Sequence, residues 1–89
     1  MPLAPAVSPD LTSALEAFPD LAPLVRRLFL ADRSFRSACE DYRLAREGLA
    51  AFERLRVSEP RPEVDDYRRV LRELEAEMLH MIHAAQGRT

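Results

Sequence analysis

The chain has 89 residues, 47% of them hydrophobic, with a formal net charge of −2 and a single cysteine. That length supports one domain with a thin core, and a lone cysteine excludes an internal disulfide as its staple. Helix packing or oligomerisation must stabilise the fold instead. All 13 basic residues are arginine, and the absence of Lys and Asn fits codon bias in a GC-rich genome better than a need for guanidinium chemistry. Residues 26–56 carry eight arginines, but five acids are interleaved with them, which argues against the one-sided basic face of a nucleic-acid binder. No basic residue occurs in 1–7 and no long apolar run follows, so no signal peptide is expected. No apolar stretch approaches the roughly 18 residues that span a bilayer. Together with the unpaired Cys39, these features predict a soluble cytoplasmic protein in a reducing compartment, without a membrane partner.

Residues 1–8 hold two prolines and no pattern, and are expected to form a flexible arm. A single helical domain is predicted over 9–86. Ser8-Pro9-Asp10 reads as a helix start, with Ser8 as cap, Pro9 in the first turn and Asp10 at the positive end of the dipole. A short helix over about 9–17 should stop at Pro19. Asp20 is placed to cap a second helix over about 21–31, in whose first turn Pro23 is tolerated. From Leu21 a heptad repeat sets in: Leu21, Leu28, Phe35, Tyr42 and Leu49 in one seam position, and Leu24, Ala31, Ala38, Ala45 and Phe52 in the other. The phase runs through Asp32 without a slip, yet Asp32 is a good cap, and Val25, Phe29 and Leu30 lie off the seam. An interruption near Asp32 is expected, with 21–31 packing over the later helices or against a second copy.

The first long arm is predicted over about 33–56. Ser58-Glu59-Pro60-Arg61-Pro62 then breaks the helix, and the second arm, about 62–86, resumes the repeat with Val64, Tyr67, Leu71, Leu74, Met78, Met81 and Ala85. The predicted fold class is therefore all-α: an antiparallel, coiled-coil-like two-helix hairpin preceded by one or two short N-terminal helices. A register in which facing residue numbers sum to about 121 would pair Arg46 with Glu75, Glu53 with Arg68 and Cys39 with Ile82. Ala31, Ala38 and Ala45 would allow close approach. Gly48, costly in a helix interior, suggests a backbone passing nearby.

Candidate chemistry is sparse. Glu77 and His80 have the Glu-x-x-His spacing of metal-binding bundles, and Asp41 on the other arm completes a conceivable Asp41–Glu77–His80 metal site. The inward positions, however, belong to Met78 and Met81, which leaves solvated side chains as the stronger reading. Cys39 reads as a buried structural thiol, because His80 and His83 sit near the far end of the other arm. Adjacent acids such as Asp65-Asp66 point to different sides of a helix. No glycine-rich phosphate loop exists. No catalytic residue, cofactor or small-molecule substrate is expected, and nucleic-acid binding through the arginine-rich first arm is a weak alternative.

Apolar residues outside the seam are more telling. Leu44, Leu55, Val70, Leu79 and Ile82, with Phe29 and Leu30, make more apolar surface than one two-helix seam covers. Phe29, Leu44, Val70, Leu79 and Ile82 are the predicted interaction surface of a non-enzymatic helical module, expected to homodimerise or to dock on a partner helix. Coverage by the N-terminal helices is the competing reading.

Phe18-Pro19-Asp20-Leu21, Asp32-x-x-Phe35 leading into Glu40-Asp41-Tyr42, Glu53 before a short polar loop, and the charged 67–77 segment resemble the YdcH-like family of small bacterial proteins. The likeness covers about 18–82. It departs in using Arg where such proteins often have Lys, and in lacking a histidine in the first arm. The resemblance implies a bacterial helical hairpin without an assigned activity, and lends no catalytic residue.

Overall fold

A computed structural model describes residues 8–55 and 62–87. Among them are four α-helices, one short 3-10 turn and no strand. The arm at 1–7 and the 56–61 portion of the proline bend lie outside the described residues.

Helix α1, Pro9–Ala17, starts as its sequence dictates: Ser8 Oγ accepts from the Asp10 N–H at 3.2 Å, and Pro9 occupies the first turn. It ends at Phe18, whose N–H donates to the Ala14 carbonyl at 3.0 Å, because Pro19 has no N–H to continue the ladder. Pro19–Leu21 form a tight turn, and α2 spans Ala22–Ala31. Asp20 does not cap α2 as expected. It sits inside that turn, and Leu21 precedes the helix with no side-chain cap.

The interruption falls at Asp32, which is extended (φ −126°, ψ 112°) between α2 and α3, Arg33–Arg54. Both helix ends are satisfied there. Asp32 Oδ1 accepts the Phe35 N–H at 3.1 Å, and Arg36 reaches back to donate to the carbonyls of Phe29 (2.8 Å) and Leu30 (3.1 Å). One residue thus caps the start of α3 while an arginine one turn on covers the orphan carbonyls of α2. Asp32→Ala is expected to cost about 1 kcal/mol by losing the cap, read as a lower urea midpoint at unchanged m-value. Asp32→Asn should recover most of it.

The break changes which face of α2 is buried. Off-seam Val25 is fully buried beside Leu28, whereas Ala31, a seam residue, is exposed. The unbroken heptad phase across Asp32 therefore does not describe one continuous seam. α2 packs on α1, α3 and α4, and α1 packs on α3.

Downstream the repeat holds. Every seam residue from Phe35 to Phe52, and from Val64 to Ala85 in α4 (Pro62–Gln86), is buried or partly buried. Contacts between α3 and α4 pair early residues of one with late residues of the other: Tyr42 with Glu75, Phe52 with Tyr67, and Glu53 with Arg68. The Glu53–Arg68 pair is the expected one, at 3.1 Å. Cys39 and Ile82 lie in one core cluster, both fully buried. Arg46 and Glu75 do not pair. α1 places Glu16 beside Arg46 at 2.9 Å, and Glu75 instead accepts the Tyr42 hydroxyl at 2.7 Å.

Burial is uneven along α3 and α4. Phe35, Ala38, Cys39, Tyr42, Ala45, Met78 and Ile82 are buried, most of them with Ala14, Val25 and Leu28 of α1 and α2. Farther along, Leu49, Phe52, Val64, Tyr67 and Leu71 are only partly buried. A two-helix seam has one covered face, whereas the other end is wrapped by four helices. Apolar surface is accordingly left at the thin end.

Candidate functional surface

The large exposed apolar side chains lie along α3 and α4 and, with Leu30, on α2. Leu55 is 56% exposed, Leu44 50% and Val70 37%. Leu44 and Leu55 are eleven residues apart, three helical turns, and share a face of α3 with Gly48 and Ala51. Phe52, Tyr67 and Val70 line a shallow groove whose lip is formed by Glu63 and Asp66. The Phe52 and Tyr67 rings lie 5.5 Å apart between centroids, tilted by 43°, within the favourable range for an aromatic pair.

Gly48 explains where Tyr67 goes. A Cβ on Gly48 would lie 2.6 Å from Cε1 and Cζ of Tyr67 and 2.7 Å from its hydroxyl oxygen. The close approach is that of an aromatic ring rather than the backbone expected from sequence. Gly48→Ala therefore gains up to about 1 kcal/mol of helix propensity against an overpacking cost of about 1–3 kcal/mol. The expected outcome is a net loss of about 1 kcal/mol in the native background, reversed to a net gain when Tyr67 is also replaced by Ala. Urea denaturation of the four members of this cycle measures it.

The predicted interaction residues divide. Leu44 and Val70 are exposed as expected, and Leu79 is half-buried. Ile82 is not on the surface: it is fully buried in the core with Cys39, Met78 and Phe35, because α1 and α2 cover this end of the molecule. Phe29 packs against the same core from α2. Leu30, at 81%, is the most exposed large apolar side chain among the described residues. Its off-seam position was a visible signal, but only the turn of α2 at Asp32 decides that Phe29 faces inward and Leu30 outward.

Asp41, Glu77 and His80 are not brought together. All three are exposed, and among the described residues no group of three or more His, Cys, Asp or Glu side chains could hold a metal ion. Helical periodicity accounts for this, since Tyr42 and Met78 take the inward positions beside Asp41 and Glu77.

Several other polar groups are engaged within the fold. Burial, aided by the nearby Asp10 charge, pushes the Cys39 thiol up to about 12, so it stays protonated and unreactive at neutral pH. Burial and then the hydrogen bond to Glu75 push Tyr42 up to about 12 as well. Arg43 bridges Asp10 of α1 and Glu47 of its own helix, and these partners raise its pKa further. Arg46 lies over the Tyr42 ring at 5.7 Å while it bonds to Glu16. No helix among the described residues is long and apolar enough to cross a membrane. No family model, curated protein or solved structure matches this chain.

Proposed function

We propose that the chain is a non-enzymatic helical interaction module, in which α3 and α4 form an antiparallel hairpin, α1 and α2 cover one end, and the other end is offered to a partner helix. The first partner is a second copy of the same chain. The observation that carries this reading is the set of exposed large apolar side chains: Leu55 and Val70 at the thin end, Leu44 midway along α3, and Leu30 on α2. Covering several of them at about 25 cal/mol per Å² contributes several kcal/mol toward association, set against the translational and rotational freedom that binding removes. The likeness to YdcH-like proteins is compatible with such a role in a bacterial cytoplasm. Three of the arginines that would serve a phosphate backbone are engaged within the fold, Arg36 by carbonyls and Arg43 and Arg46 by carboxylates, which weighs against nucleic acid as the partner.

Sedimentation velocity from about 1 to 100 μM tests the reading. It predicts a weight-average mass rising above the monomer's 10.2 kDa. A strict monomer across that range, with no binding of an apolar dye, would overturn it.

A further inference from the structure

Two patches at opposite ends of α3 complement each other. On α2, Pro23, Arg26, Arg27 and Leu30 are all exposed and recur at i, i+3, i+4 and i+7, so they share one face. Arg33, also exposed, opens α3 just past the break at Asp32. α2 contains no acid, and Arg26, Arg27 and Arg33 have no carboxylate partner among the described residues. The result is a basic face with one protruding leucine.

The second patch has the opposite character. Glu63, Asp66, Val70, Glu73 and Glu77 are all exposed and follow one another at steps of three, four, three and four along α4, a single stripe. Asp66 and Glu73 each meet Arg69, at 3.5 and 3.8 Å, whereas Glu63 and Glu77 have no cation among the described residues. Beside this stripe runs the apolar groove of Phe52, Tyr67 and Val70, with Glu63 and Asp66 on its lip.

We propose that this groove is the docking site for α2 of a second copy, with Leu30 seated among Phe52, Tyr67 and Val70 while Arg26 and Arg27 face Glu63 and Asp66. This inference rests on the interaction-module reading and names its occupant. The patches cannot meet within one chain, since the run of α3 from Arg33 to Phe52 alone separates them by about 28 Å at the helical rise. Groove against groove would set Glu63 and Asp66 against their own copies, a like-charge clash that selects against that pairing. Head-to-tail contact instead satisfies both signs. It is heterologous, so every bound pair still carries one free α2 face and one free groove. The ionic part lies at the surface and is screened by salt within about 8 Å at physiological ionic strength.

Charge reversal tests the contact on the full chain. R26E/R27E removes the basic face and E63R/D66R removes the acidic lip, all at exposed positions, with folding verified by circular dichroism. Sedimentation should show self-association weakened at least tenfold in either variant, and in Leu30→Ser. Mixing R26E/R27E with E63R/D66R should restore association, because each supplies the patch the other lacks, and should give a complex that half-molar salt weakens. A wild type that associates while the reversed variants associate equally well, or a mixture that stays monomeric, would overturn this docking mode and leave the module reading standing. A strictly monomeric wild type would overturn both.

Discussion

Phe35→Ala is expected to cost about 3–5 kcal/mol, the range for emptying a fully buried aromatic site, and to leave the chain largely unfolded at 37 °C. Phe35 is among the largest fully buried side chains and belongs to the cluster shared by all four helices. A domain this small sits near the low end of the usual 5–15 kcal/mol of stability, so the loss takes most of what is available. One kcal/mol shifts the melting temperature of a domain of this size by about 4–8 °C, and the melt of Phe35→Ala should fall by at least about 12 °C or lose its cooperative transition. Leu30→Ala is the control. That side chain is 81% exposed, and its removal should change monomer stability by no more than about 0.5 kcal/mol. Thermal melts followed by circular dichroism at low concentration compare the two directly. Equal shifts would mean that the four-helix cluster is wrongly placed.

Alkaline pH should unfold the protein steeply. Cys39 and Tyr42 both lose their protons more easily unfolded than folded: the thiol rises from an ordinary value of 9.0 to about 12, and the phenol from 10.0 to about 12, each chiefly because burial disfavours the anion. A raised folded pKa contributes stability that is complete below the unfolded value and lost as pH climbs through the folded one. Stability is therefore expected to be flat with respect to these groups below about pH 8. It should decline between 9 and 10 as the unfolded thiol ionises, and fall about twice as fast between 10 and 12, when both groups differ between states. At about 1.4 kcal/mol per pH unit and group, the combined loss reaches several kcal/mol by pH 12. Denaturant midpoints against pH test this, and tyrosinate absorbance should show Tyr42 ionising in step with unfolding. Cys39→Ala should flatten the limb between 9 and 10 and halve the slope above it, while Tyr42→Phe should spare the lower limb and halve the slope above 10. A profile unchanged in both variants would contradict the buried placement of these groups.

Local signals in the sequence were decisive where they concerned a few adjacent residues. Ser8, Pro9 and Pro19 bound α1 at both ends, and Asp32 marks the interruption, because capping and proline chemistry act within one turn. The seam from Phe35 onward was equally legible, since burial on one face imposes a 3.5-residue repeat. What escaped were the consequences of long-range contact. Arg36 covering the end of α2 requires the chain to turn at Asp32 first. Arg46 goes to Glu16 rather than Glu75 because α1 packs on α3, which no pattern within α3 or α4 specifies. Ile82 lies off the heptad seam, a surface position on a bare hairpin, yet a third and fourth helix make that flank interior. The same coverage moves Phe29 into the core and leaves Leu30 outside. Asp41, Glu77 and His80 had suggestive spacing, but spacing along one helix says nothing of whether a second helix turns its carboxylate the same way.

The groove and the thin end both exist because α3 lies against α4 in the register that seats the Tyr67 ring over Gly48. Proton NMR of the native protein measures this contact directly. The Gly48 α-protons should show nuclear Overhauser cross-peaks to the Tyr67 ring and be displaced upfield by its ring current, and both effects should vanish in Tyr67→Leu. Gly48 α-protons at ordinary shifts, with no cross-peak to any α4 side chain, would contradict the architecture from which the function is inferred.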